Sequence, residues 1–200
     1  MARHVHLVRH GEAHNPSEVV YDSLPGFPLT ATGNAQARAV SRHLGSQPIV
    51  AVWSSPLQRA LETATPIAGR NGLPVMVEQE LIEWSLLSRW AGTRWSDLPT
   101  MHPGELETYL ERPEGLEFAD EPLEKLATRM VTAIKRIDAA TDAGDVVIVG
   151  HQDPIQAARL ALTGRALANL HTDKPTHGSA ITLTPGTPWR ELSAWEPESV

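Results

Sequence analysis

The sequence predicts an α/β protein, a three-layer α/β/α sandwich with a mostly parallel central sheet, and three observations predict it. Short apolar or β-branched runs stand at Val5 to Val8, Ile49 to Trp53 and Val146 to Val149. Each is followed by Gly, Ser or His and then by a segment whose apolar residues recur at helical spacing. The runs are nearly continuous in apolar character, as strands buried on both faces must be, so helices are expected on both sides of the sheet.

The first helix is expected to start at Thr30 or Thr32, either of which can cap it with a hydroxyl, and to stop at Gly45, with Ala35, Ala39 and Val40 turned inward. A second begins near Pro56 and carries Leu57, Leu61, Ala64 and Ala68. A third spans Asp120 to Ala140, where Leu123, Leu126, Met130, Ile134 and Ile137 fall at helical spacing. Ile181 to Leu183 and Leu192 to Trp195 read as later strands nearer an edge, given the Pro-Gly and Thr-Pro turn signals between them. The stretch 84–122 breaks the pattern, with Trp84, Trp90 and Trp95, several Pro and Gly residues and no long helical period. It is expected to be a lid or insertion over a site, within a single domain of residues 1–200. Its tryptophans are expected to be packing residues first, with pocket lining as the alternative.

The 200 residues are 41% hydrophobic and 20% charged, enough for one globular domain with a sizeable core. A formal net charge of −7 disfavours nucleic acid and acidic membranes as partners, so any anion site must be a local device. The absence of cysteine removes disulfides, thiolate metal sites and thiol nucleophiles. No signal-type apolar segment opens the chain, and no run approaches the roughly 20 apolar residues of a membrane helix. A cytoplasmic protein without membrane attachment is therefore expected.

Ligands of open α/β sheets bind beyond the carboxyl ends of the strands. Those ends carry Arg9-His10-Gly11-Glu12, Ser54-Ser55-Pro56 and Gly150-His151-Gln152. A neutral imidazole at His10 is a competent nucleophile toward phosphorus near pH 7, and Arg9 offers a rigid fork of donors to phosphate oxygens. Gly11 lets the backbone turn tightly and approach an anion. Arg59 follows Ser55 by four residues, on the first turn of the next helix, whose N-terminus also favours an anion. Two arginines and two histidines thus converge on one edge.

At these residues the chain resembles the histidine phosphatase superfamily, also called phosphoglycerate mutase-like. Leu7-Val8-Arg9-His10-Gly11-Glu12 looks like its signature, and Pro28-Leu29-Thr30-Ala31-Thr32-Gly33 with Gln36-Ala37 resembles its second block. Ser54 to Ala64 resembles the third, and Gly150-His151 after an apolar strand the fourth, so the likeness runs from about residue 4 to residue 184. The resemblance implies a phosphoglycerate mutase-like fold and transient phosphorylation of His10. It also implies phosphoryl oxygens held by Arg9, Arg59 and His151, with Glu83 as the proton donor. Fixed cations can stabilise the charge on a transferring phosphoryl group, so no cofactor or metal is implied.

Glu83, flanked by Leu81, Ile82 and Trp84, has the apolar surroundings that raise a carboxyl pKa, with Asp153 as the rival donor. Pro16 stands where the family commonly has asparagine, and Asn15 one residue earlier is the candidate ligand in its place. The chain reads Ser88-Arg89-Trp90-Ala91-Gly92 where the family often has a glycine-tryptophan-glutamate-glycine segment, so substrate contacts are not carried over there. Gln152-Asp153-Pro154 is bulkier than the small residues common after the second histidine. It either narrows the pocket or, the favoured reading, starts a helix with Asp153 as N-cap and Pro154 at N1. Substrate-binding candidates are therefore Gly11, Asn15 and Gln152. His4 and His6 alternate onto one strand face, a pairing that could hold a metal with His10 or His14, but no carboxylate or cysteine at nearby spacing completes the set, and a structural role is expected.

The expected function is metal-independent hydrolysis of a small phosphorylated metabolite through a phosphohistidine, as in a histidine acid phosphatase-type phosphomonoesterase. Hydrolysis is preferred over a mutase because few arginines follow Glu83, only Arg89, Arg94 and Arg112 before the next long helix. The other alternative is a non-catalytic binder of a phosphorylated ligand.

Overall fold

The computed structural model describes residues 1–85, 88–117 and 119–198. Positions 86, 87 and 118, inside the 84–122 stretch, lie outside the described residues. Six strands, β1 (Val5–Arg9), β2 (Ile49–Ser54), β3 (Val75–Val77), β4 (Asp145–Gly150), β5 (Ala180–Thr184) and β6 (Arg190–Trp195), form one sheet in the order β3-β2-β4-β1-β5-β6. β3, β2, β4 and β1 run parallel. β5 and β6 add an antiparallel edge, as the Pro-Gly-rich turn between them suggested. The ladder between β5 and β6 shifts register between Thr182 and Leu183.

Every residue of β4 is buried, which the run Val146-Val147-Ile148-Val149 at the centre of a two-faced sheet requires. Alternate side chains feed two cores. Leu7, Val146 and Ile148 face α5 (Leu123–Ala139) and α6 (Gln152–Leu162), while Val8, Val147 and Val149 face α1 (Ala31–His43) and α2 (Gln58–Arg70). The expected three layers are present. In α5, Leu123, Leu126, Met130, Ile134 and Ile137 are all buried as the spacing required.

Thr30 is the N-cap of α1, its hydroxyl accepting from the Gly33 N–H at 3.0 Å. The buried face of α1 is Gly33, Ala37, Val40 and Ser41. Ala35 and Ala39 are only partly covered, a correction to the expected inner stripe that follows from Gly33 being pressed against Gly11 and Glu12 in the loop after β1. On α2 the covered face is Arg59, Ala60, Thr63, Ala64, Ile67 and Ala68, so Leu61 is more exposed than expected and an arginine takes an inward position.

The crossing from β3 to α5 holds single 3₁₀ turns and two short helices, α3 (Leu98–Met101) and α4 (Glu105–Glu111). It meets the loop after β1 through an antiparallel bridge between Val19 and Arg94, with the Val20 N–H donating to the Thr93 carbonyl at 2.8 Å. Among the described residues, no helix is long and apolar enough to cross a membrane.

Candidate active site

Strand register assembles the site. Arg9 lies opposite Gly150 in the parallel β1–β4 pair, and the His10 N–H donates to the Gly150 carbonyl at 3.0 Å. The next residue on each strand is a histidine, so His10 and His151 leave the sheet side by side, ring centroids 5.2 Å apart. β2 places Ser54 opposite Val149, and the following Ser55 brings its Oγ within 2.7 Å of His151 Nε2.

His10 is 1% exposed, and its Nδ1 lies 2.7 Å from the Gly11 carbonyl oxygen. A carbonyl can only accept, so Nδ1 carries the proton and Nε2 keeps its lone pair. Burial, then the charges of Arg59 and Arg9, hold the imidazole pKa well below the ordinary 6.5, leaving His10 neutral. The same causes, with His10 added, depress His151.

The close approach that Gly11 permits is to the scaffold. A Cβ on Gly11 would run into the Gly33 carbonyl oxygen, and its N–H is already donated to Thr63 Oγ1 at 3.0 Å. Glu12 receives the Thr30 hydroxyl at 2.5 Å and donates its own N–H to Gln36 Oε1 at 2.8 Å. Thr30, Gly33, Gln36 and Thr63 therefore brace the nucleophile loop, although all belong to the motif blocks.

Each arginine is anchored at one side and open at the other. Arg9 donates from Nη1 to the Pro175 carbonyl at 2.9 Å, and its Nη2 lies 2.8 Å from His177 Nε2. Arg59 donates from Nη2 to the Asp22 carbonyl at 2.6 Å, with its guanidinium 4.7 Å over the Tyr21 ring. Among the described residues, the Nε of each is buried without a partner. Burial lowers both pKa values, yet a guanidinium stays charged at neutral pH, so these unspent donors suit an oxyanion.

Glu83 follows the turn at Gln79–Leu81. Its Oε1 accepts the Trp84 N–H at 2.8 Å and its Oε2 lies 3.7 Å from His151 Nδ1. Burial, reinforced by Asp153 and opposed by Arg59, pushes its carboxyl up to about 8. Asp153 is not an N-cap, which corrects the favoured sequence reading. His151 occupies that position with extended backbone, α6 starts at Gln152, and Asp153 Oδ2 accepts the Tyr109 hydroxyl at 2.7 Å. The Tyr109 phenol is pushed well above 10 by burial and by Asp153, so it remains a donor.

A cavity of about 330 Å³ opens beside His10 and Glu83. Trp84, Trp90 and Trp95 all line it, so packing and lining coincide for Trp84 and Trp90, which are buried, while Trp95 is 40% exposed at the rim. Gln152 lines the same cavity, 3.4 Å from the Pro175 carbonyl. Asn15 spends both ends of its carboxamide on the Val19 backbone, donating to its carbonyl at 2.8 Å and accepting its N–H at 3.2 Å. His6 lies 3.1 Å from Asp145 and 3.0 Å from Thr182, and His4 3.2 Å from Thr184, all below the other end of the strands.

Sequence reasoning missed Tyr21, Asp22, Tyr109, His171 and Lys174, and left His177 without a role. His177 had a signal, a histidine just before a strand that neighbours β1. The others sit on loops or on α4, where no period or turn type points toward the site.

The pattern of the histidine phosphatase superfamily (branch 1) matches residues 5–196. An uncharacterised Mycobacterium tuberculosis protein, Rv0525, is 43% identical over 163 residues, covering 82% of this chain and 80% of that one. The 2,3-bisphosphoglycerate-dependent phosphoglycerate mutase of Thermoplasma acidophilum is 32% identical over 76% of this chain and 72% of its own length. In structure, the mycobacterial glucosyl-3-phosphoglycerate phosphatase Rv2419c in complex with VO3 superposes with a TM-score of 0.86 at 25% identity, covering 98% of this chain and 100% of that one. By its motif blocks, its strand order and these likenesses, the chain belongs to the histidine phosphatase superfamily.

Proposed function

We propose that the protein is a phosphomonoesterase for a small phosphorylated metabolite, working through a phosphohistidine at His10. One observation carries the reading: the fixed tautomer of His10, with Nδ1 on the Gly11 carbonyl, leaves the Nε2 lone pair beside the two arginines. Nε2 attacks phosphorus and the ester P–O bond breaks, while Arg9 and Arg59 stabilise the equatorial oxygens and Glu83 gives its proton to the leaving oxygen. Water then attacks the phosphorus, its proton passes to the Glu83 carboxylate, and the His10–phosphorus bond breaks to release phosphate. His151 acts on the same oxygens as a neutral donor. Asn15, with its carboxamide engaged locally, is not assigned a ligand role, and Gln152 contacts substrate from the cavity wall.

The 84–122 crossing acts as the lid, since the Val19–Arg94 bridge sets it against the loop after β1. Hydrolysis is favoured over phosphoryl transfer to a second phosphorylated substrate because Arg9 and Lys174 are the only arginine or lysine among the described lining residues. Quenching in alkaline denaturant during turnover of para-nitrophenyl phosphate, followed by mass spectrometry at neutral to alkaline pH, should find an alkali-stable, acid-labile phosphate on His10. Phosphate on another residue, or hydrolysis with none trapped and abolished by EDTA, would overturn the assignment.

A further inference from the structure

The cavity holds two carboxylates with an unused oxygen. Asp153 is nine-tenths buried, and although its Oδ2 accepts from Tyr109, its Oδ1 has no partner among the described residues. Asp22 also lines the cavity, and among the described residues its Oδ1 likewise has no partner. Buried acceptors without donors are uncommon and cost free energy, so a pair of them lining one cavity asks for a donor from outside the chain.

Asp22 is costly in a second way. Its φ of 32° lies in the left-handed region that L-residues avoid, while its carbonyl accepts from the Arg59 guanidinium at 2.6 Å. One strained residue thus holds a phosphate-facing arginine and presents a carboxylate to the adjoining space. Burial raises that carboxyl to about 6, against the pull of Ser23 and Arg59, so it is largely ionised and accepting at neutral pH.

The apolar lining includes the three tryptophans, Val20 and Leu110. A phosphate dianion takes up the charges of Arg9 and Arg59. The other lining cation, Lys174, has its ammonium 3.1 Å from His171 Nδ1. A substrate carboxylate would therefore face Asp22 and Asp153, and a quaternary substrate ammonium, which has no N–H to give, would leave both Oδ1 atoms unpaired.

We propose that the leaving group is an uncharged, hydroxyl-rich alcohol, a neutral sugar or polyol. Its hydroxyls donate to Asp22 Oδ1 and Asp153 Oδ1, and its carbon face packs against the tryptophans. This rests on the phosphomonoesterase reading and narrows its substrate class. A site built to bond a hydroxyl rejects analogues that lack one, because its own polar groups then stay unpaired.

The test is phosphate release from glucose 6-phosphate and glycerol phosphate compared with 3-phosphoglycerate, phosphoserine and phosphocholine. All are esters of aliphatic alcohols, so recognition dominates the order. The neutral esters should exceed the charged ones in kcat/KM by about tenfold or more. Asp22→Ala should narrow that ratio by about tenfold, and Asp22→Asn serves if the alanine variant does not fold. A preference for any of the three charged esters, or an unaltered ratio in a folded Asp22 variant, would overturn the inference and leave the phosphatase intact. No turnover of any ester would overturn both.

Discussion

The carboxyl edge of the sheet and the 84–122 crossing face the same cavity but are built differently. At the edge, His10 and His151 are the first residues past fully paired, buried strands, and the backbone of each neighbour is already spent. The crossing adds side-chain ties to its backbone bridge at Val19 and Arg94. Glu105 takes both the Arg89 guanidinium and the Trp90 indole N–H, and the Trp84 indole donates to the Glu121 carbonyl at 2.7 Å. The groups proposed to react thus ride on paired strand ends, while those proposed to meet the rest of a substrate sit on more replaceable contacts. Such a division lets substrate preference change without disturbing the chemistry.

That contrast can be broken most severely at its rigid end. His10→Ala should lower turnover by about 10⁴-fold or more, read as kcat on para-nitrophenyl phosphate. A variant keeping a tenth of the activity would end the nucleophile assignment. Arg59→Ala comes next, with kcat falling by about 10²–10³-fold as a fixed oxyanion donor is lost. A pure KM effect would instead mean that Arg59 only holds the ground state.

Glu83 joins the two regions, and its effect is smaller and dependent on pH. Glu83→Gln should slow poor leaving groups by about 10²-fold and good ones much less. The proposed reaction requires Glu83 protonated and His10 neutral in the unsubstituted protein. Activity should therefore fall as pH rises through about 8, and the acid limb should lie well below 6.5.

Stability offers an independent check on the same carboxyl. Between its ordinary value of 4.5 and about 8, the folded protein keeps a Glu83 proton that the unfolded chain releases, so stability falls as pH rises across that window. Glu83→Gln should consequently raise Tm most at pH 8 and above, by about 2–4 °C for each kcal/mol relieved, with the gain disappearing near pH 4.5. A gain independent of pH would place the origin elsewhere than in this ionisation.

The gentlest break lies at the rim. Trp95→Ser should raise KM about three- to tenfold, leave kcat nearly unchanged and move stability by less than about 1 kcal/mol, because the ring is 40% exposed. A large stability loss would mean that the crossing is part of the core.

The rigid region was the legible one. Apolar runs ending in His10, Ser55 and His151 identify strands, and parallel strands carry their ends to one edge, so three distant residues could be brought together on paper. Glu83 was singled out through the family resemblance, with its apolar neighbours in support and Asp153 as the rival. Asp22 and Tyr109 were not, because nothing local marks a loop residue that will be folded back 37 positions onto Arg59, or a tyrosine on α4 that will reach Asp153 44 positions away. Asp153 was misjudged for a related reason: Asp before Pro is a strong local cap signal, yet a phenol arriving from the crossing claimed its carboxylate. The face of α1 was misjudged because its spacing fits more than one stripe, and contact with Gly11 decides which.

The register shift between β5 and β6 has a bearing on association of the chain with itself. An outermost strand presents unpaired backbone groups on which a second molecule could add its own strand. β6 meets that hazard with a bent ladder and with Arg190 and Glu191 at its start, Glu191 being tied to Arg159 at 2.5 Å and to Arg165 at 2.7 Å. The opposite margin, β3, is only three residues long. Both borders of the sheet are thereby poor templates for edge-to-edge aggregation, and the concentrated protein has a built-in safeguard against sticking strand to strand.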